Sequence, residues 1–244
     1  GRCDAIFFTT DNSFSPPESQ AELFDFRKKQ LNIIPKHAAK YDFVVVGGGI
    51  AGICAAVASA RLGLKVALIN DRPVWGGNNS SEVRVHLGGQ IGLPPYRQLG
   101  GIVNELSPSS EGNAQPAEKY EDWKKADLID SEPNIDQYHS YRAFAVSTKE
   151  KKIESVTIKH ILTGEELIIS APLFADCTGD GTIGVLAGAD YMYGRESKTM
   201  FGEPSAPEIS DRMTMGSSVQ WYSKQDDNET QFPIFEYGMD VDES

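Results

Sequence analysis

Residues 41–71 read YDFVVVGGGIAGICAAVASARLGLKVALIND. The run Phe43 to Val46 is apolar and β-branched, the mark of a buried strand. Gly47, Gly49 and Gly52 then supply a G-x-G-x-x-G turn, and a helix of small residues runs to about Leu62. Gly63 ends that helix, and Lys65 to Ile69 reads as a second strand. Strand, glycine turn, helix and strand form a complete βαβ unit of the expected length, roughly 30 residues. In such a unit the first glycine permits the tight turn, the second lets backbone approach a pyrophosphate, and the third lets helix and strand pack closely. The helix start, with Ile50 and Ala51, offers free N–H groups to the phosphates. Its dipole contributes only ~0.3–1 kcal/mol at an exposed end, so geometry outweighs charge. Phe43 to Ala60 carries no charged residue and approaches the ~18 residues of a membrane span. Three consecutive glycines and an Ala-rich helix argue against one.

The chain has 244 residues, enough for one large domain or one and a half smaller ones. A net charge of −12 argues against nucleic acid or an anionic membrane as partner. Cys3, Cys54 and Cys177 are odd in number and far apart, so neither a disulfide framework, a Cys-rich metal site nor thiol exchange is indicated; no metal is expected. No apolar leader precedes the fold, so a signal peptide is expected to be absent or already removed, and the cytoplasm is favoured over export.

Residues 1–40 read as an N-terminal arm outside the nucleotide fold, with a short amphipathic helix from Glu22 to Ile34 closed by Pro35. After the βαβ unit comes DRPVWGGNNSSEVRVHLGGQ, Asp71 to Gln90. Two glycine pairs flank a polar cluster, and Glu82, Arg84 and His86 alternate with Val83, Val85 and Leu87. That period of two predicts a half-buried strand showing Arg84 and His86 on one polar face. A plain surface strand, with Arg84 paired to Glu82 or Glu105, is the competing reading. Residues 92–137 form an irregular insert with short helices at Gly101 to Leu106 and Ala117 to Ile129, the second anchored by Trp123 and Leu128. From Tyr138 strands follow: Tyr141 to Val146, Lys152 to Ile161, a turn at Thr163-Gly164, and Glu166 to Ser170. Leu173 to Cys177 then enters a second glycine turn, Thr178-Gly179-Asp180-Gly181. This order suggests a β-meander feeding back into a parallel sheet. The expected fold class is α/β, a Rossmann-like parallel sheet with an inserted meander over residues 41–190. Residues 191–244 read as the start of an incomplete substrate or cap domain.

The glycine turn, RPVWGGNNSSEVRVH and LFADCTGDGTIGVLAGADYMYGRES together resemble the bacterial FAD-dependent oxidoreductases of the glutathione-reductase-like Rossmann superfamily. The resemblance extends to Gly194–Glu208 and Met215–Ser218 and spans roughly Tyr41 to Phe232. It implies FAD as cofactor, with the Gly47–Gly52 turn on the pyrophosphate. The end of the second strand would bind the adenosine ribose, where the superfamily usually places Glu. Here Asn70 precedes Asp71, and either side chain could make that contact. Arg72 would lie beside adenine or phosphate, and Gly76, Gly77, Asn78 and Asn79 would pass along the pyrophosphate towards the isoalloxazine. Ala143 would touch the adenine, and Thr178, Gly179 and Asp180 match the superfamily's Ala-Thr-Gly turn with Cys177 in the Ala place. The implied reaction is hydride transfer between a small organic substrate and flavin N5. The shared strand face of Arg84 and His86 directly after the flavin-side loop, with His titrating near neutral pH, points to Arg84 holding an anionic or hydroxyl group and His86 acting as acid or base near the ring. Superfamily members close their sheet with a late strand and Gly-Asp turn. Only a weak run precedes Gly238-Met239-Asp240, so a partial chain is expected. An NAD(P)-binding oxidoreductase and a non-catalytic nucleotide-binding remnant are the alternatives.

Overall fold

A computed structural model describes residues 6–109, 112–216 and 225–229. In chain order the helices are α1 (Gln20–Leu31), α2 (Ile50–Arg61), α3 (Gly101–Leu106), α4 (Asp122–Asp130), α5 (Thr182–Leu186) and α6 (Lys198–Phe201). The strands are β1 (Lys36–Lys40), β2 (Phe43–Val46), β3 (Val66–Asn70), β4 (Ile135–His139), β5 (Tyr141–Lys149), β6 (Lys152–His160), β7 (Glu166–Ser170) and β8 (Leu173–Asp176). They form two four-stranded sheets. One is all parallel in the order β4-β3-β2-β8, and the other is mixed in the order β1-β7-β6-β5.

The unbroken apolar runs of β2 and β3 follow from burial on both faces. Val45, Val66 and Leu68 face a core with Ile53, Ala56, Val57 and Ala60 of α2, Leu106 and Ile129. Val44, Val46, Ala67 and Ile69 face a second core with Ala143, Val156, Ile158 and Ile169 of the mixed sheet. Helices, parallel sheet and mixed sheet thus make three layers, a Rossmann-like FAD-binding fold. The meander returns as expected: β8 pairs parallel with β2, bringing the turn after Asp176 beside the turn after Val46.

Two strands carried no readable signal. Lys36–Lys40 pairs parallel with β7, so the end of the arm joins the mixed sheet. Ile135–His139 is the parallel edge strand beside β3; only Ile135 is buried in this otherwise polar strand. Helix α1 begins two residues before the expected Glu22, at a capping box in which Ser19 and Glu22 satisfy each other's backbone N–H. It stops at Asn32, in the left-handed conformation, ahead of Pro35. Phe24 packs at an angle against Phe144, ring centres 5.2 Å apart, and Lys28 and Lys159 flank the fully buried Glu166 carboxylate at 3.5 and 3.0 Å. The arm is therefore bolted to the mixed sheet.

Residues 82–87 form no strand. Backbone bonds from Arg84 N to Ser80 O and Val85 N to Asn78 O fold them into turns, and Arg84 sits at φ +62°. In α4 the buried side chains are Lys125 and Ile129, whereas Trp123 is exposed. Beyond α5, an antiparallel bridge joins Arg195 to Asp211, whose side chains also pair. The Gly238–Asp240 reading and Ser217–Ser218 lie outside the described residues.

Candidate cofactor site

The carboxyl ends of β2, β3 and β8 converge on the glycine turn, and the surroundings differ from glycine to glycine. Gly47 adopts φ +114°, and a Cβ there would lie 2.1 Å from the Cys177 carbonyl oxygen. Gly52 faces inward: its Cβ would lie 1.8 Å from Gly47 O, so it serves helix–strand packing. At Gly49 nothing lies within 4 Å of the Cβ position, and this residue caps α2 with no side-chain hydrogen bond. The helix start is thus bare backbone facing open space. Gly48, outside the motif, is also constrained, because Trp75 Cε3 and Asn70 Cγ sit 2.5 and 2.6 Å from where its Cβ would be.

The loop after β3 folds back over this turn. Gly76 N donates to Gly48 O at 2.8 Å, and Gly76 bridges Gly49. Asn70, only 5% exposed, donates from Nδ2 to Arg72 O (3.0 Å) and Val74 O (2.8 Å). Trp75 is buried and packs against His139 with ring centres 4.1 Å apart and planes tilted by 56°; burial pushes the His139 pKa down. Lys125 supports the loop from behind, its stem 2.9 Å from the Cβ position of Gly76 and its Nζ donating to Tyr120 O at 2.6 Å. Burial pushes the Lys125 ammonium down, against the opposing pull of Asp122.

Between these elements lies a cavity of about 890 Å³, within the usual range of cofactor pockets. Its floor is residues 47–51. One end is walled by Asn70, Asp71, Arg72 and the start of β5, Tyr141 to Ala143. Gly76, Gly77, Asn78 and Asn79, and Cys177 with Thr178, Gly179 and Asp180, complete its lining. The turn after β8 is tied by Asp176, which accepts from Thr178 N and Oγ1 (3.1 and 2.7 Å) and from Gly184 N (2.9 Å). Burial raises the Asp176 pKa, but these hydrogen bonds outweigh it and hold the carboxyl below its usual range. Burial pushes the Cys54 and Cys177 thiols up, which disfavours thiolate chemistry.

Of the two residues expected to act on substrate, His86 is in the cavity wall. Its backbone N–H donates to Asn113 Oδ1, and its Nδ1 lies 2.8 Å from the same oxygen. Arg84 is held differently: Nε donates to Ser81 O, and its carbonyl accepts from Tyr120 Oη (2.5 Å) and Ala114 N (2.9 Å). The expected acidic partners are engaged with other arginines, Glu82 3.9 Å from Arg72 and Glu105 bidentate on Arg61. Gly48, Trp75, Asn113, Tyr120 and Lys125 escaped the sequence reading. A lone Trp in a polar loop beside a Gly pair is the one signal that could have flagged Trp75. The other contacts arise between segments distant in sequence.

A family model described as "FAD dependent oxidoreductase" matches residues 42–240. The chain belongs to that family. The cofactor of this family member is FAD, and the cavity fits it on its own observations. Gly49 leaves bare backbone where a diphosphate needs close approach. Asn79 is buried at the wall, donates from Nδ2 to Val85 O, and keeps Oδ1 without a hydrogen-bond partner. A buried orphan acceptor is costly unless a ligand donor meets it, and FAD brings hydroxyl, imide and amine donors.

Among solved structures, the chain is similar to L-proline dehydrogenase from P. horikoshii (19% identity, TM-score 0.39, 59% of this chain and 24% of that one). It is likewise similar to a geranylgeranyl bacteriochlorophyll reductase-like protein from Thermoplasma acidophilum (23%, 0.40, 62% and 43%). A third is the flavin-dependent monooxygenase PieE, solved in complex with FAD and substrate (16%, 0.40, 62% and 32%). The chain spans between 24% and 43% of the length of these three proteins. No curated protein matches it. Among the described residues there is no helix long and apolar enough to cross a membrane and no group of three potential metal ligands.

Proposed function

We propose that this family member is an oxidoreductase acting on a small organic molecule, with FAD lying along the cavity at the carboxyl end of the parallel sheet. The observation that carries the reading is the uncapped start of α2 at Gly49, open where a side chain would otherwise stand. In this reading the turn Gly47–Gly52, with Ile50 and Ala51, holds the pyrophosphate through backbone N–H groups. Asp71, Arg72 and the Ala143 backbone receive the adenosine end. Gly76, Gly77, Asn78 and Asn79 run along one side, and Thr178, Gly179 and Asp180 along the other. When bound, FAD supplies the redox chemistry by exchanging a hydride with the substrate at flavin N5.

The chain's own contribution is proton transfer and positioning. The Asn113 amide oxygen accepts the Nδ1 proton of His86, which leaves Nε2 as the acceptor for a substrate proton. The paired bonds to the Arg84 carbonyl hold the segment carrying His86 against the insert. Arg84 itself is not among the residues lining the cavity, and in this reading its guanidinium would have to turn from Ser81 O to steady an anionic or hydroxyl group of substrate. Residues 191–244 begin a substrate domain, a reading supported by the exposed Tyr193, Met200 and Phe201.

Titration of the purified chain with FAD and, separately, with NADH tests the cofactor part. Saturable FAD binding with the shifted visible band of an ordered flavin is expected. Saturable NADH binding with no FAD binding would favour a nicotinamide enzyme instead, and no binding of either would leave a non-catalytic remnant.

A further inference from the structure

Asn70 stands where dinucleotide-binding folds place an acidic residue for the ribose, yet its side chain is spent elsewhere. Two carbonyl oxygens face the amide, Arg72 O at 3.0 Å and Val74 O at 2.8 Å. Only the NH₂ end can satisfy both, which fixes the amide's orientation. The consequence spreads along the loop. With those carbonyls tied down, Trp75 turns inward against Gly48, and Gly76 N reaches Gly48 O. That geometry brings Gly76 into a backbone bridge with Gly49 and Gly77 close beside it, a Cβ on Gly77 lying 3.1 Å from Gly49 Cα. Asp71, one residue on, lines the cavity and is roughly half exposed, 47% for its side chain, 3.9 Å from Arg72 Nε.

We infer that Asn70 is a positioning residue, which bolts the 71–77 loop onto the glycine turn, and that the ribose acid of this chain is Asp71. The inference rests on the FAD reading above for the ligand, and on the loop geometry alone for the bolt. Its sharpest consequence runs against the superfamily pattern. Restoring an acid at position 70 damages the site, because a carboxylate has no donor and would set oxygen against two carbonyl oxygens. Protonation gives the carboxyl one donor and relieves the conflict, so Asn70→Asp carries a pH dependence that the native amide lacks. The titratable or charged groups around Asn70 and its loop are His139, paired opposite Asn70 in β4, Lys125 of α4 behind Gly76, Asp71 and Arg72 in the loop, and Glu82 beyond. Comparison with the native chain at each pH removes their contributions.

The experiment measures two quantities on the native chain, Asn70→Asp, Asn70→Ala and Asp71→Asn: the FAD dissociation constant, and amide exchange across residues 72–77 without FAD. For Asn70→Asp the expected result at pH 8 is at least about tenfold weaker FAD binding, the scale of two lost hydrogen bonds, and faster loop exchange. Both recover towards native values as the pH falls to about 5, within reach of a buried carboxyl. Asn70→Ala shows a smaller loss with no added pH dependence, and covers the case in which Asn70→Asp fails to fold. Asp71→Asn weakens FAD binding and leaves loop exchange native. Native-like FAD binding by Asn70→Asp at pH 8 with unchanged loop exchange overturns the inference. So does an Asn70→Ala chain that loses FAD with an undisturbed loop, since Asn70 would then touch the ribose itself. If the native chain binds no FAD, the cofactor reading fails by itself, and loop exchange in the variants still decides the bolt.

Discussion

Gly49 and Gly52 sit three residues apart in one motif, yet they answer to different physics. A Cβ on Gly52 would strike a backbone oxygen at 1.8 Å, so Gly52→Ala must push α2 off the sheet. A loss of about 1–3 kcal/mol or more in urea unfolding is expected, the scale of core overpacking. Asp176 offers a second residue-scale test. Its pKa is depressed in the fold, so its ionised form adds stability that is present above the unfolded pKa and is lost as the pH falls through the folded one. Asp176→Asn should therefore lower stability near neutral pH and flatten the acid limb of the stability curve. An unchanged acid limb would mean the bonds from Thr178 and Gly184 do not bias the carboxyl. His86→Ala should slow flavin reduction, by an electron donor found through screening, about 10²–10⁴-fold; reduction at the native rate removes His86 from the chemistry. At this scale the glycines were legible because each glycine in the motif has one geometric task. Asn70 was legible only as a departure, because its partners are carbonyls that no side-chain pattern reports.

Among the elements, β2 and β3 were readable because burial on both faces demands an unbroken apolar run. Leu68, fully buried between them and α2, should cost about 2–5 kcal/mol on substitution by Ala, read as a shifted unfolding midpoint. β4 and β1 were not readable. Edge strands need little burial, so IDQYH and KHAAK carry no apolar period. The turns at 82–87 failed in the opposite direction. Their sequence alternates, but backbone bonds to Asn78 and Ser80 and the contacts of Arg84 with the insert outweigh a strand that would have no partner. Helix α1 is docked by Glu166 between two lysines. Glu166→Ala should speed amide exchange across residues 20–31 while leaving FAD affinity within about threefold of native, since RT ln 3 is only about 0.65 kcal/mol. Loss of FAD binding in that variant would show that the arm supports the site.

The whole molecule carries a net charge of −12 and is assigned an anionic cofactor, a conflict that the bare glycine turn resolves by using backbone dipoles in place of basic side chains. Raising the ionic strength from about 0.01 to 0.15 M shortens screening from ~30 to ~8 Å. FAD binding should hold or strengthen across that range, whereas a site built on exposed ion pairs would weaken. The central claim is that the open space at the Cβ position of Gly49 is where FAD approaches the backbone. Gly49 has ordinary backbone angles, φ −73° and ψ 177°, and no neighbour within 4 Å of its Cβ position, so Gly49→Ala can fold as the native chain does. The deciding measurement is an FAD titration of the native and Gly49→Ala chains, matched by their melting temperatures without cofactor. Saturable native binding, weakened at least about tenfold (1.4 kcal/mol) in Gly49→Ala at nearly equal melting temperature, is the predicted result. Equal FAD affinity in the two chains, or no saturable binding by the native one, would contradict it.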